Sequence, residues 1–216
     1  MKEVQDHWFR LAKEEGYRSR AAYKLIDIDD RKRLLRRGFR VLDAGAAPGS
    51  WSQVAAKRVG DRGQVIAVDL KEINGGGYPP NVQLIRADLR DLELHDMGDR
   101  PFDVVLSDMA HDTTGDPMGD GFRSARLCHE LLDRCCDWLR PGGHLAMKVF
   151  EGGEYPELLK RASRMFGEAK GYKPRASRAE SVEMFIVCLD FRGIDGRTPT
   201  LDDATLPTRK PSKGWA

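Results

Sequence analysis

Apolar positions recur along this chain with two different periods, and the alternation between them organises it. From Ser19 to Arg37 the apolar residues Ala22, Leu25 and Ile26, then Leu34 and Leu35, keep helical spacing, and Gly38 ends the pattern in the manner of a C-terminal cap. From Arg40 to about Phe191, short apolar runs take turns with helical stretches. Val41-Leu42, Gln64–Asp69, Val82–Ile85, Phe102–Asp108, His144–Phe150 and Glu183–Leu189 read as strands. Ser50–Val59, about Arg123–Leu139 and roughly Tyr155–Phe166 read as helices, with Arg140-Pro141-Gly142-Gly143 as a turn. Strands this apolar, separated by helices, predict an α/β fold whose largely parallel sheet is covered on both faces. The segment from Gly193 to Ala216, rich in Pro, Thr, Asp and Lys, has no periodicity and reads as a flexible tail. The expected organisation is a basic helical extension over residues 1–38, a main domain over 39–192, and the tail over 193–216.

Composition adds little to this picture, and charge adds more. A chain of 216 residues suits one domain, and 40% hydrophobic with 32% charged residues describes an ordinary soluble protein. The net charge of +2 is too small to announce a nucleic-acid binder. Its distribution is uneven, however. Arg10, Lys13, Arg18, Arg20 and Lys24, then Arg31, Lys32, Arg33, Arg36, Arg37 and Arg40, all precede or open the first strand. Such a segment suits a phosphate backbone, although the interleaved Glu14, Glu15, Asp27, Asp29 and Asp30 leave a solvated helix face equally open. Cys128, Cys135, Cys136 and Cys188 show no metal-binding spacing and read as free thiols in a reducing compartment. No apolar run is long enough to span or target a membrane, so a cytoplasmic protein is expected.

The sharpest local signal is Asp43-Ala44-Gly45-Ala46-Ala47-Pro48-Gly49-Ser50-Trp51, which follows a strand and opens a helix. Glycines at Gly45 and Gly49 let the backbone turn and approach a ligand. A dinucleotide fold would show GxGxxG aimed at a pyrophosphate. Here the spacing is GxxxG with a carboxylate, Asp43, at its start, which suits an ammonium group better. Asp69 ends the next strand, where a carboxylate can accept from ribose hydroxyls, and Asp88 follows the third, placed to take an adenine amino group. Together these acids fit a cationic nucleoside such as S-adenosylmethionine.

The fourth strand ends Leu106-Ser107-Asp108-Met109-Ala110, without the Asn/Asp-Pro-Pro-aromatic run of base amino methylation and without a nucleophilic cysteine. Lys148 stands inside an apolar strand, Leu145-Ala146-Met147-Lys148-Val149-Phe150. A lysine drawn out of water beside other cations gives up its proton more readily, and a ribose hydroxyl needs a proton acceptor before it attacks a methyl group. A strand-end lysine that reaches out to solvent is the plainer alternative.

At this point the chain, from about Ser19 to Phe191, resembles the FtsJ-type family, the heat-shock ribosomal RNA large-subunit methyltransferases that modify a uridine ribose. The resemblance rests on Ser19-Arg20-Ala21-Ala22-Tyr23-Lys24-Leu25, Gly45-Ala46-Ala47-Pro48-Gly49-Ser50-Trp51-Ser52-Gln53, Ser107-Asp108-Met109-Ala110, Pro141-Gly142-Gly143 and Lys148-Val149-Phe150. It continues through Lys173-Pro174, Ser177-Arg178 and Glu183-Met184-Phe185-Ile186-Val187. It implies a Rossmann-like class I methyltransferase fold with a mostly parallel seven-stranded sheet, and S-adenosylmethionine as cofactor. Asp43, Gly45, Gly49, Trp51, Asp69, Asp88 and Asp108 are the expected cofactor-binding residues. The family's Lys-Asp-Lys-Glu tetrad falls on Lys24, Asp108, Lys148 and Glu183, with Glu180 a nearby competitor for the last place. Lys148 is then the general base, Asp108 positions it and contacts the cofactor, and Lys24 and Glu183 orient the ribose. The implied substrate is 23S ribosomal RNA within the large subunit, acted on by a monomer. Where the family continues Pro-Asn after Ala110, this chain has His111-Asp112 beside the expected RNA site. Transfer RNA and messenger RNA cap ribose remain open as acceptors, as does a non-catalytic role in ribosome assembly. Tyr78, in the glycine-rich stretch Asn74–Pro80, reads either as a base-stacking ring or as a plain loop aromatic, and His7 and His111 as surface residues.

Overall fold

The computed structural model describes residues 2–73, 76–110, 114–177 and 181–193. The expectations for His111-Asp112, Arg178, Glu180 and the tail beyond Gly193 lie outside them. In chain order the elements are α1 (Lys2–Glu14), α2 (Ala22–Lys32), β1 (Arg40–Ala44), α3 (Ser50–Val59), β2 (Gln64–Asp69), β3 (Val82–Arg86) and β4 (Phe102–Ser107). They continue with α4 (Pro117–Trp138), β5 (Leu139–Phe150), α5 (Tyr155–Met165), β6 (Phe166–Tyr172) and β7 (Glu183–Phe191). The strands form one seven-stranded sheet in the order β3-β2-β1-β4-β5-β7-β6. β1 to β5 run parallel to one another, while β7 is antiparallel to both β5 and β6. The order reverses between β1 and β4, which opens a crevice at the carboxyl ends of those strands.

The pleat sorts the core into two layers. Leu42, Ile66, Val105, Leu145 and Met147 face α4 and α5, meeting Leu131, Trp138 and Leu158. Their neighbours Val41, Val65, Val104, Leu106 and Ala146 face the other way, onto Leu25 and Ile28 of α2 and Val54 and Val59 of α3. The apolar residues of α2 therefore share a core with the central strands. Among the described residues no helix is long and apolar enough to cross a membrane.

Three boundaries and one whole strand differ from the sequence pattern. The helix expected up to Arg37 stops at Lys32: Arg33 is left-handed (φ 53°), and its N–H donates to the Asp29 carbonyl at 2.7 Å. The buried Asp29 carboxylate then accepts from the Leu35 N–H at 2.8 Å, so Leu34 and Leu35 reach the core from irregular chain. Helix α4 begins at Pro117 rather than Arg123, because Asp116 accepts from the Met118 and Gly119 N–H groups and the proline occupies the first turn. Strand β5 starts at Leu139 and absorbs the expected turn, with an irregularity opposite Phe102 and Val104. Strand β6 has no counterpart in the pattern. Its glycines and charges hide the period, and its pairing with β7, from Phe166 opposite Phe191 to Tyr172 opposite Phe185, makes it a strand.

Candidate active site

A cleft of about 800 Å³ opens at the carboxyl ends of β1, β2, β3 and β4. Gly45 and Ala47 line it after β1, Asp69 and Leu70 after β2, Asp88 and Arg90 after β3, and Asp108 and Met109 after β4, with Lys148 from β5. Leu127, Glu130, Leu131 and Arg134 of α4, spaced as one helical stripe, form a wall that no sequence motif announced.

The turn after β1 is shaped by its backbone. Gly45 has φ 74°, and a side chain there would drive a Cβ to 2.4 Å from Met109 Cγ, so the loop can pass this close to the strand-end of β4 only as glycine. Asp43 lies beneath this turn, fully buried, and is not among the cleft-lining residues. Its Oδ2 accepts from Ser52 Oγ at 2.5 Å and its Oδ1 has no partner. Burial pushes its carboxyl up to about 7, with the Ser52 hydroxyl opposing the shift and the carboxylates of Asp108 and Asp69 adding to it. Asp69 accepts from the Ala47 N–H at 2.9 Å and from the Lys71 N–H at 2.7 Å, which ties the β1 and β2 turns together. Asp88 is held by Arg90, whose guanidinium stands 2.5 Å away and keeps the carboxyl below its ordinary range. Arg90 was given no role by the sequence, although its place two residues after Asp88 is a detectable signal.

With Asp43, two more of the expected cofactor residues are not among those lining the cleft. Trp51 is buried against Phe185, with ring centroids 5.6 Å apart, and its indole N–H donates to the Ala21 carbonyl at 2.8 Å. It fastens α2 to α3 and does not line the cleft. Gly49, φ 104°, faces Tyr78 rather than the cleft.

The four tetrad positions come together as two ion pairs. Lys148 is 8% exposed; its ammonium stands 2.9 Å from Asp108 Oδ1 and donates to the Asp108 carbonyl at 2.7 Å. Lys24, 9% exposed on α2, stands 2.5 Å from Glu183 Oε1, which also accepts from Ser177 Oγ at 3.3 Å. Sheet register explains why the pairs adjoin. Lys148 lies directly opposite Phe185 and Phe150 opposite Glu183, so Lys148, Phe185 and Glu183 project on one face of the antiparallel pair. That is the face α2 covers, and Lys24 Nζ lies 5.9 Å from the Phe185 ring centroid. Lys24 and Glu183 are not lining residues of the cleft itself; they stand one pleat beyond Lys148. Ser177 has no function legible from its motif, and the structure sets its hydroxyl on Glu183.

The arrangement places the carboxylates of Asp69 and Asp88 beside Lys71 and Arg90 at the β1–β3 side, and at the cleft's edge a nearly buried ammonium held by Asp108. The model of the FtsJ-like methyltransferase family matches residues 17–191. The ribosomal RNA large subunit methyltransferase E of Nitratidesulfovibrio vulgaris (strain DP4) is 45% identical over 202 residues, covering 90% of this chain and 97% of that protein. Its namesake from Syntrophobacter fumaroxidans is 45% identical over 192 residues, covering 88% and 97%. Among solved structures, a chain described as a ribosomal RNA methyltransferase from Plasmodium falciparum superposes with a TM-score of 0.72 at 28% identity, covering 82% of this chain and all of that one.

Proposed function

The chain belongs to the FtsJ-like methyltransferase family, and on that premise we propose that it methylates a ribose 2′-hydroxyl, that of a uridine in 23S ribosomal RNA of the large subunit, using S-adenosylmethionine. The observation that carries this reading is the nearly buried Lys148, paired with Asp108 at the edge of a cation-suited cleft and one pleat from the Lys24–Glu183 pair. Cleft and cofactor fit each other. The cleft volume of about 800 Å³ suits a nucleoside with a side chain, and a buried carboxylate oxygen without a partner, Asp43 Oδ1, lies under the turn where a positive group would compensate it. Asp69 would hold the ribose and Asp88 the adenine edge, with Gly45 leaving room for the amino-acid end. Bound there, S-adenosylmethionine supplies a methyl group made electrophilic by its sulfonium.

The rest is the work of the chain's own residues. Lys148 first releases its own ammonium proton to solvent and then, as the amine, accepts the proton of the 2′-hydroxyl at Nζ as that oxygen attacks the methyl group. Asp108 fixes the position of that nitrogen through its carboxylate and its carbonyl, so little reorganisation is needed when the hydroxyl arrives. Lys24 and Glu183, each satisfied by the other, border the place where the ribose would lie and orient it. The basic segment over residues 1–38 supplies the grip on RNA phosphates, residues 39–192 carry the chemistry, and the protein acts as a cytoplasmic monomer.

The decisive experiment offers methyl-labelled S-adenosylmethionine with isolated large ribosomal subunits, free ribosomal RNA, transfer RNA or capped messenger RNA. Label in alkali-resistant dinucleotides from the large subunit is the expected result. Label only in transfer RNA or cap would refute the ribosomal assignment, and label in bases rather than ribose would refute the chemistry.

A further inference from the structure

Tyr78 and Arg18 take no part in the chemistry above, yet together they join three segments of the chain. The Arg18 guanidinium lies over the Tyr78 ring, 4.4 Å from its centroid, and donates through Nη2 to the Gly76 carbonyl. One face of the ring is therefore covered, which argues against the base-stacking role its sequence position allowed. The Tyr78 hydroxyl reaches back to the Pro48 carbonyl at 3.4 Å, and the ring packs beside Ala46, Ala67 and Ile73. Gly49 is complementary to it: a Cβ at that position would stand 1.5 Å from the Tyr78 oxygen, so the phenol fills the space a side chain would take. On the other side, the Arg18 N–H donates to Gln53 Oε1 at 2.9 Å, and Gln53 Nε2 donates to the Gly16 carbonyl at 3.0 Å. Ser19 and Ser50 share a hydroxyl–hydroxyl hydrogen bond of 2.9 Å. The basic N-terminal segment, the turn that shapes the cleft and the chain after β2 thus meet at one stacked pair.

We propose that Tyr78 is a positioning residue for the Pro48–Gly49 turn, and that Arg18 makes its placement depend on the RNA-contacting segment, so that RNA and cofactor bind with positive coupling. This rests on the reading of that turn as the cofactor loop and of residues 1–38 as the RNA grip. The physical basis is linkage. Whatever orders the Arg18 segment also orders Tyr78, and a ligand that needs the turn in place then finds part of the ordering already done. A cation–aromatic stack at a solvent-accessible site is worth about three- to fivefold in an equilibrium constant, which sets the size of the effect.

The test is equilibrium dialysis of labelled S-adenosylhomocysteine, which binds without turnover, against the full chain with and without saturating large ribosomal subunits. Tyr78→Ala is expected to weaken binding about fivefold, and Tyr78→Phe, which keeps the ring and the stack, to stay within about twofold of wild type. Arg18→Ala combined with Tyr78→Ala should bind no more weakly than Tyr78→Ala alone, since the two act as one unit. Subunits should tighten binding to the wild type but not to Arg18→Ala. Wild-type affinity in Tyr78→Ala, additive losses in the double variant, or equal tightening of Arg18→Ala would each overturn the proposal. Failure of the wild type to bind the nucleoside at all would instead overturn the cofactor reading beneath it.

Discussion

At the β1–β3 side of the cleft, carboxylates find partners within the turns they border: Asp88 is held by Arg90, Asp69 by the Ala47 and Lys71 N–H groups, and Asp43 by Ser52. At the β5–β7 side the charged groups find theirs only across the sheet, Lys148 with Asp108 on β4's end and Lys24 on α2 with Glu183 on β7. The first side can be organised by its own turns before any substrate arrives. The second exists only when the strands are in register, and it concentrates nearly buried charge where one lost partner leaves another stranded. Nucleoside binding and proton removal should therefore be separable by mutation, although they share a rim.

The strongest break falls on the second side alone. Lys148→Ala is expected to lower methyl transfer to large subunits by about a thousandfold, while nucleoside affinity measured by dialysis changes by no more than about threefold. A comparable loss of affinity would mean that the two sides are one unit. Next in size is the Lys24–Glu183 pair. Glu183→Ala strands the Lys24 ammonium, whose side chain is 11% exposed, and should cost about 3 kcal/mol in urea unfolding. The double variant Lys24→Met/Glu183→Leu should regain most of that stability yet not the activity, which would separate the pair's structural effect from its effect on the ribose.

The smallest expected effect belongs to the first side and sharpens the contrast through pH. Burial raises the Asp43 carboxyl to about 7, above the ~3.9 of an unfolded chain. Between those values the folded protein holds more protons, so the cost of ionising Asp43 is absent in acid and grows as pH rises towards 7. A cationic ligand needs the ionised form. Its affinity should therefore fall about tenfold per pH unit below 7, with proton release seen by calorimetry in buffers of different ionisation enthalpy. Asp43→Asn should flatten that dependence. A wild-type affinity independent of pH from 5 to 8 would place the ligand's charge away from Asp43.

The same division governs what was legible beforehand. The strand–turn–helix around Gly45, the acids at the strand ends and the lysine in β5 could all be read from spacing and residue type. Strand β6 could not, because Gly167 and Gly171 break its period and it gains its conformation from β7. The packing of Trp51 is illegible for a related reason. Its position in the glycine-loop motif suggests a ligand, whereas its indole packs on Phe185 and bonds to Ala21.

By itself, then, the sequence determined the order of strands and helices from β1 to α5, the parallel core and the shape of the β1 turn, because hydrophobic period, glycine freedom and short-range carboxylate contacts act within a few residues. Only the tertiary structure decided that Lys24 meets Glu183, that Ser177 supports it, and that Arg18 covers Tyr78. The first and last of these contacts join residues far apart in the chain, and the pleat and antiparallel register of β5 and β7, set by pairing across the whole sheet, choose which side chains share a face.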